Sequence, residues 1–236
     1  SGKTNTLYSA LSTVNDPDTN IMTAEDPVEF NLLGINQVQI REAVGLTFAS
    51  ALRSFLRQDP ETVLVGEIRD AETANIAIKA ALTGHLVLST LHTNDAPSTV
   101  NRMIDMGVER FLVSSSVEGV MAQRLVRRVC PESHETYTPD PADLPPDFSL
   151  SPGEHLTRGV PARANRNTGY RGRVGVYEML RLSDATREMI MRRASAPEIA
   201  AQAGRDGDLT RLREDGFAKV RAGVTTIDEV TRALAV

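Results

Sequence analysis

A chain of 236 residues can hold one sizeable core and an appendage, since domains usually run about 100 to 200 residues. Its net charge of -5, aromatic content of 4% and lack of tryptophan argue against a nucleic-acid binder, which presents a basic, aromatic-studded face. The single cysteine excludes an intrachain disulfide framework and fits a reducing compartment, and no run of about 18 apolar residues is present to span a membrane.

The chain opens on Ser1-Gly2-Lys3-Thr4, the last half of the phosphate-binding pattern G-x-x-x-x-G-K-[ST]. In such a loop backbone amides cradle phosphates, the lysine reaches the outer phosphates and the hydroxyl binds magnesium. Gly2, Lys3 and Thr4 are therefore candidates for binding a nucleotide, with Thr4 also a magnesium ligand. Four such residues also occur by chance, so the motif takes its weight from the carboxylates and histidines further along the chain. With no initiator methionine and no first loop glycine, the sequence reads as the C-terminal piece of a longer protein.

From Asn20 to about Arg128 short apolar runs alternate with helical patterns, the signature of a parallel sheet covered by helices. A strand over Asn20-Ile21-Met22-Thr23 leads into Glu25-Asp26-Pro27-Val28-Glu29, three carboxylates in five residues. Such a cluster can hold magnesium and orient water, or it can be a solvated acidic loop. Phe48 to Arg57 has a helical pattern, with Phe48, Leu52, Phe55 and Leu56 on one face. Arg53 and Arg57, four apart, project together from another face, either as surface charges or as groups that reach a neighbouring subunit's phosphates.

Thr62-Val63-Leu64-Val65 and Leu86-Val87-Leu88-Ser89 are predicted strands buried on both faces, joined by a crossover helix over Ala71 to Leu82. Ligands in open α/β sheets bind beyond the carboxyl ends of the strands. Glu67 after the first run and His92 after the second stand where chemistry would occur. His85, at the other end of its strand, is either structural or functional. It lies too far from His92 for the two to share one metal.

Between Pro131 and Pro161 five further prolines sit among acidic and small residues without a sustained period, which predicts an irregular lobe. Gly169 to Tyr177 reads as a glycine-punctuated turn feeding a strand, and after Leu180 the pattern is helical to the end. Ser195-x-x-Glu198 and Thr226-x-x-Glu229 are candidate capping boxes.

With these segments in order, the chain resembles the C-terminal motor domain of the type II secretion and type IV pilus assembly ATPases. The family's Asp box resembles Thr23 to Glu29, its Walker B region Leu52 to Pro60 running into Val65-Gly66-Glu67-Ile68-Arg69-Asp70, and its His box Gly84 to Asn94. The resemblance implies an α/β fold with a RecA-like P-loop ATPase core over residues 1–128. An irregular lobe at 129–170, a return strand at 171–182 and a small helical domain at 183–236 would complete it. It implies a cytoplasmic homo-hexamer at the inner face of the inner membrane, using ATP and Mg2+ to drive a platform protein in pilus assembly or type II secretion. Membrane association would run through partners, and no nucleic acid is implied.

By the same resemblance Glu25, Glu29 and Glu67 share metal and water roles, with Asp26 in the Asp box; His92, at its strand end, can donate to a γ-phosphate or a neighbouring carboxylate and so report nucleotide state. Arg53, Arg57, Arg171 and Arg173 are then phosphate-contacting candidates.

Two departures from the family pattern stand out. Pro60-Glu61 replaces Pro-Asp, which keeps a carboxylate. Where many members carry Cys-Pro-x-Cys after a basic helix and Cys-x-x-Cys before Thr-Gly-Tyr, this chain has Cys130, Ser133, Ala162 and Asn165. Structural zinc needs four good ligands, so no zinc is expected, even counting His134 and His155 as substitutes. The alternative reading from another class is a nucleotide-binding ring that has lost hydrolysis and serves as a regulatory partner. Intact Lys3, Thr4, Glu25 and Glu67 weigh against it.

Overall fold

A computed structural model describes residues 2–235 of the chain; Ser1, the first residue of the expected loop, lies outside the described residues. In chain order the elements are α1 (Lys3–Val14), β1 (Ile21–Glu25), β2 (Asn36–Gln39), α2 (Phe48–Phe55), β3 (Thr62–Val65), α3 (Ala71–Leu82), β4 (Leu86–Ser89), α4 (Ala96–Asp105) and α5 (Arg110–Ser116). After them come β5 (Gly119–Val129), β6 (His134–Tyr137), β7 (Leu156–Gly159), β8 (Tyr170–Arg181), α6 (Asp184–Met191), α7 (Ala196–Asp206), β9 (Leu209–Thr210), α8 (Leu212–Arg221) and α9 (Ile227–Leu234). They form two compact units, one of Lys3–Val120 with Leu180–Leu209, the other of Gly2, Met121–Met179 and residues 210–235. The 183–236 stretch thus contributes α6 and α7 to the first unit and α8 and α9 to the second.

The first unit is built on a four-stranded parallel sheet of order β2-β1-β3-β4. β1 and β3 are buried at every position because they are the inner strands; their side chains are apolar or small except for Glu25, whose carboxylate is held by hydrogen bonds. Tyr8 and Leu11 of α1 pack with Ile21 and Leu64 to close one face. α2 starts from a reciprocal capping pair between Thr47 and Ser50. α3 starts from Asp70, whose carboxylate accepts the Thr73 amide at 2.8 Å.

Three expectations need correction. β4 is not buried on both faces: it is the edge strand among the described residues, and Leu86 is 46% exposed. α2 ends at Phe55, short of Arg57, because Asp59 takes a left-handed backbone (φ 51°) ahead of Pro60, and the residue before a proline disfavours the α region. The basic stretch before Cys130 is the strand β5 rather than a helix, since its pairing beside β8 outweighs local pattern.

In the second unit β5, β8 and the short β9 form a three-stranded sheet of order β5-β8-β9, so β9 interrupts what the sequence predicts as continuous helix. Phe148, Leu156, Phe217, Val220 and Val230 make one apolar cluster, with Phe148 and Phe217 in an edge-to-face contact. The lobe is less irregular than its prolines suggest, because β6 and β7 pair antiparallel from His134↔Gly159 to Tyr137↔Leu156. Glu198 reaches back to the Ser195 amide at 2.7 Å. Glu229 does not reach back to Thr226: its buried carboxylate accepts from the Arg127 amide at 2.9 Å and from the Arg127 and Arg232 guanidinium groups, because two cations attract it more strongly than a single amide.

Two of the four positions of the family's cysteine lobe, Ser133 and Asn165, carry hydrogen-bonding side chains. Asn165 is 3% exposed, and its side-chain oxygen accepts the amides of Ala162 (2.9 Å), Thr168 (3.1 Å) and Gly169 (3.1 Å). Its amide nitrogen donates to the Val160 carbonyl at 2.8 Å, and the Ser133 hydroxyl donates to that same carbonyl at 2.9 Å. Gly159 and Gly169 touch backbone to backbone, where a Cβ on Gly159 would lie 1.8 Å from the Gly169 carbonyl oxygen.

Asn165→Ala is expected to cost about 3 kcal/mol, since it takes the acceptor from the buried amide of Gly169 and the part-buried amides of Ala162 and Thr168, and an orphaned buried group costs roughly 1–3 kcal/mol. Denaturant melts check this; an unchanged midpoint would mean that the lobe is closed by other contacts.

Candidate functional site

The parallel register brings the carboxyl ends of β1, β3 and β4 to one edge, with Ala24 beside Val65 and Val65 beside Ser89. Glu25 is the last residue of β1, while Gly66-Glu67 comes directly after β3. Gly66 is needed for this closeness: its amide donates to the Ala24 carbonyl at 2.8 Å, and a Cβ there would stand 3.2 Å from that oxygen and 3.4 Å from the Glu25 Cα. Lys3 and Thr4 begin α1, where the amides of a helix start and the helix dipole favour a phosphate. Gly2 precedes them with a left-handed φ of 77°.

One cavity gathers these pieces. Lys3, Thr4, Glu25, Asp26, Glu29 and Glu67 all line it, together with Leu7, Tyr8, Pro27, Phe48, Leu64, Gly66 and Thr90. Two of its carboxylates differ sharply in setting. Glu25 is 4% exposed and held by three donors: the Tyr8 hydroxyl on Oε2, and the Thr23 hydroxyl and Gln37 Nε2 (3.1 Å) on Oε1. Burial and the Glu25 bond push the Tyr8 phenol up to about 12, so it stays a donor.

Glu67 accepts from the Arg69 guanidinium and lies 3.2 Å from His92 Nε2. The Arg69 hydrogen bond first, and the charge of Arg69 and the His92 contact after it, hold the Glu67 carboxyl below the usual carboxylate range against the opposing effect of burial. It is an anion throughout the neutral range.

Other sequence candidates sit elsewhere. Arg53 pairs with Glu72 of α3, and Arg57 folds back so that its guanidinium donates to the Arg53 carbonyl (2.9 Å) and the Ser54 hydroxyl (3.2 Å). The two groups therefore do not project together, a consequence of α2 ending before Arg57 and of the carbonyls that a helix end leaves open. Neither lines the cavity. Arg171 and Arg173 lie exposed on β8 in the second unit, Arg171 paired with Glu132. His85 bonds the Ala80 carbonyl (2.9 Å) and Thr83 (3.1 Å), which is a structural role at the end of α3. Among the described residues no group of three or more His, Cys, Asp or Glu is gathered to hold a metal.

Tyr8 and Gln37 were not singled out by the sequence patterns, and Thr23 only as the first residue of the Asp box. Tyr8 had a signal, since it stands one helical turn beyond Thr4 and must share its face. Gln37 had none: its place beside Thr23 comes from the β1–β2 register.

The model of the type II/IV secretion system protein family matches residues 1–232. The chain belongs to that family. Among family relatives, a type IV pilus assembly ATPase, PilB, of Myxococcus xanthus (strain DK1622) is 52% identical over 98% of this chain and 41% of its own length. A type II secretion system protein E of Pseudomonas aeruginosa (strain PAO1) is 50% identical over 98% of this chain and 46% of its own. This secretion-family chain thus spans less than half the length of these relatives. In three dimensions it is similar to the pilus retraction motor PilT in a structure with bound ADP, at 27% identity and a TM-score of 0.71, covering 99% of this chain and 58% of that one. The fold is the RecA-like α/β fold of these nucleotide-binding motors. No helix among the described residues is long and apolar enough to cross a membrane.

Proposed function

We propose that this chain is the motor part of an ATP hydrolase that works as a cytoplasmic homo-hexamer on an inner-membrane platform protein, in type IV pilus assembly or type II secretion. The observation that carries the reading is the single cavity into which Lys3, Thr4, Glu25 and Glu67 converge. Supporting it, the relatives at 50% and 52% identity bear the names of a secretion protein and a pilus assembly ATPase. The 27% identical retraction motor carries ADP in its structure.

In this reading Lys3 and the first amides of α1 bind the outer phosphates. Water attacks the γ-phosphorus, forming a new P–O bond as the bond to the β–γ bridging oxygen breaks. ADP leaves with that electron pair, and the water proton passes to Glu25. Thr4 and Glu67 would hold magnesium, a fitting set because Mg2+ takes one or two protein oxygens beside substrate phosphates. When bound it would neutralise charge on the phosphates. Zinc has no part in the reading: Cys130 stands with Ser133, Ala162 and Asn165, whose polar atoms are already committed to backbone groups.

Phosphate release by the full-length protein with ATP and magnesium tests the proposal. Lys3→Ala is expected to weaken nucleotide binding by at least about tenfold, since a hydrogen bond to a charged group contributes about 1.5–3 kcal/mol. Wild-type protein that released no more phosphate than Lys3→Ala, even with its platform partner, would leave the hydrolysis-deficient regulatory ring as the better account.

A further inference from the structure

We infer that Tyr8 and Gln37 are positioning residues for hydrolysis, which with Thr23 hold the Glu25 carboxylate with one acceptor site turned to the attacking water. The inference rests on the hydrolase reading above and adds to it two residues outside the loop, the acidic box and the Walker B strand. A carboxylate offers about four lone-pair sites. Three are filled here, by the Tyr8 hydroxyl on Oε2 and by the Thr23 hydroxyl and Gln37 Nε2 on Oε1. One remains on Oε2.

The holders are themselves held. The Tyr8 hydroxyl also accepts the Glu29 amide and Gln37 Nε2, each at 3.3 Å, and Gln37 Oε1 accepts the Leu32 amide at 2.6 Å. The Tyr8 ring stands edge-on to Phe30, with centroids 4.7 Å apart. Tyr8 lies one turn beyond Thr4 on the helix that presents Lys3, so phosphate-binding and proton-accepting groups are tied to one rigid element. A buried carboxylate without these donors would rotate or take up a proton, and misplacing a reacting group by about 1 Å can cost roughly 10²-fold.

The test uses full-length Tyr8→Phe and Gln37→Leu. Each should lower kcat by roughly 10- to 100-fold, with the affinity for a fluorescent ATP analogue near wild type; Tyr8→Phe should also lower the melting temperature, since it takes a donor from a buried carboxylate, and Gln37→Leu less so. Gln37 is half-buried on the outer strand β2, so its variant keeps the test open should Tyr8→Phe fail to fold. Because both act through Glu25, neither should lower the residual rate further in a Glu25→Gln background. Equal kcat in wild type and both folded variants would overturn the inference, as would additive losses in the Glu25→Gln background. A wild-type protein without turnover would instead remove the hydrolase reading beneath it.

Discussion

Arg57→Ala is expected to lose turnover by roughly 10³- to 10⁵-fold, the range found for arginine fingers, while keeping the hexamers proposed above. Two observations motivate this: Arg57 is exposed, and it does not line the cavity of its own chain, so a catalytic use would fall in the site of a neighbouring subunit of the proposed ring. In the isolated chain its guanidinium rests on the Arg53 carbonyl and Ser54, at the end of α2. Losing that contact should cost at most about 1 kcal/mol, as for other charges at a helix terminus. Stability and activity therefore separate cleanly. Rings doped with the variant should lose activity faster than the mutant fraction. Near-normal turnover by Arg57→Ala would make the residue a helix-end contact and nothing more, and strictly proportional loss in mixed rings would argue against subunit cooperation.

Glu67→Gln should slow hydrolysis by about 10²- to 10⁴-fold, with nucleotide affinity changed far less. The amide keeps the size of the side chain but removes the anion that Arg69 and His92 hold in place. Arg69 would then be left exposed and solvated, which costs little, so the variant should fold. Steady-state phosphate release set beside titration of a fluorescent nucleotide separates the two effects. Loss of binding in parallel with turnover would move Glu67 from the chemistry to nucleotide retention.

The residues that could be read from sequence are those whose role is set by local order. The limits of β3, α3 and β4 come from apolar runs and a helical period, and Glu67 from its place directly after a buried strand. Pairing was beyond reach. Whether β4 is flanked on one side or both depends on strand order, and the expectation of two buried faces failed there. Glu25 was visible as one of three acids within five residues, but its burial, unlike the exposure of Asp26 and Glu29, comes from β1 continuing through it. The hold of Gln37 on it depends on a parallel register that no motif encodes. Likewise, spacing alone put Arg53 and Arg57 on one helical face, and a single left-handed residue at Asp59 undid that geometry.

The Asn165 hub changes what the lobe needs in order to form. A four-thiolate lobe must capture an ion, so its folding tracks metal activity and thiol oxidation state. Four hydrogen bonds to one buried side-chain amide tie the same stretch of chain together with groups the chain itself supplies. The only thiol in the chain, Cys130, is buried, so peroxide and chelators alike find little to act on. On the proposed reading without zinc, a cell short of metal or under oxidative load would leave this clasp of the second unit in place.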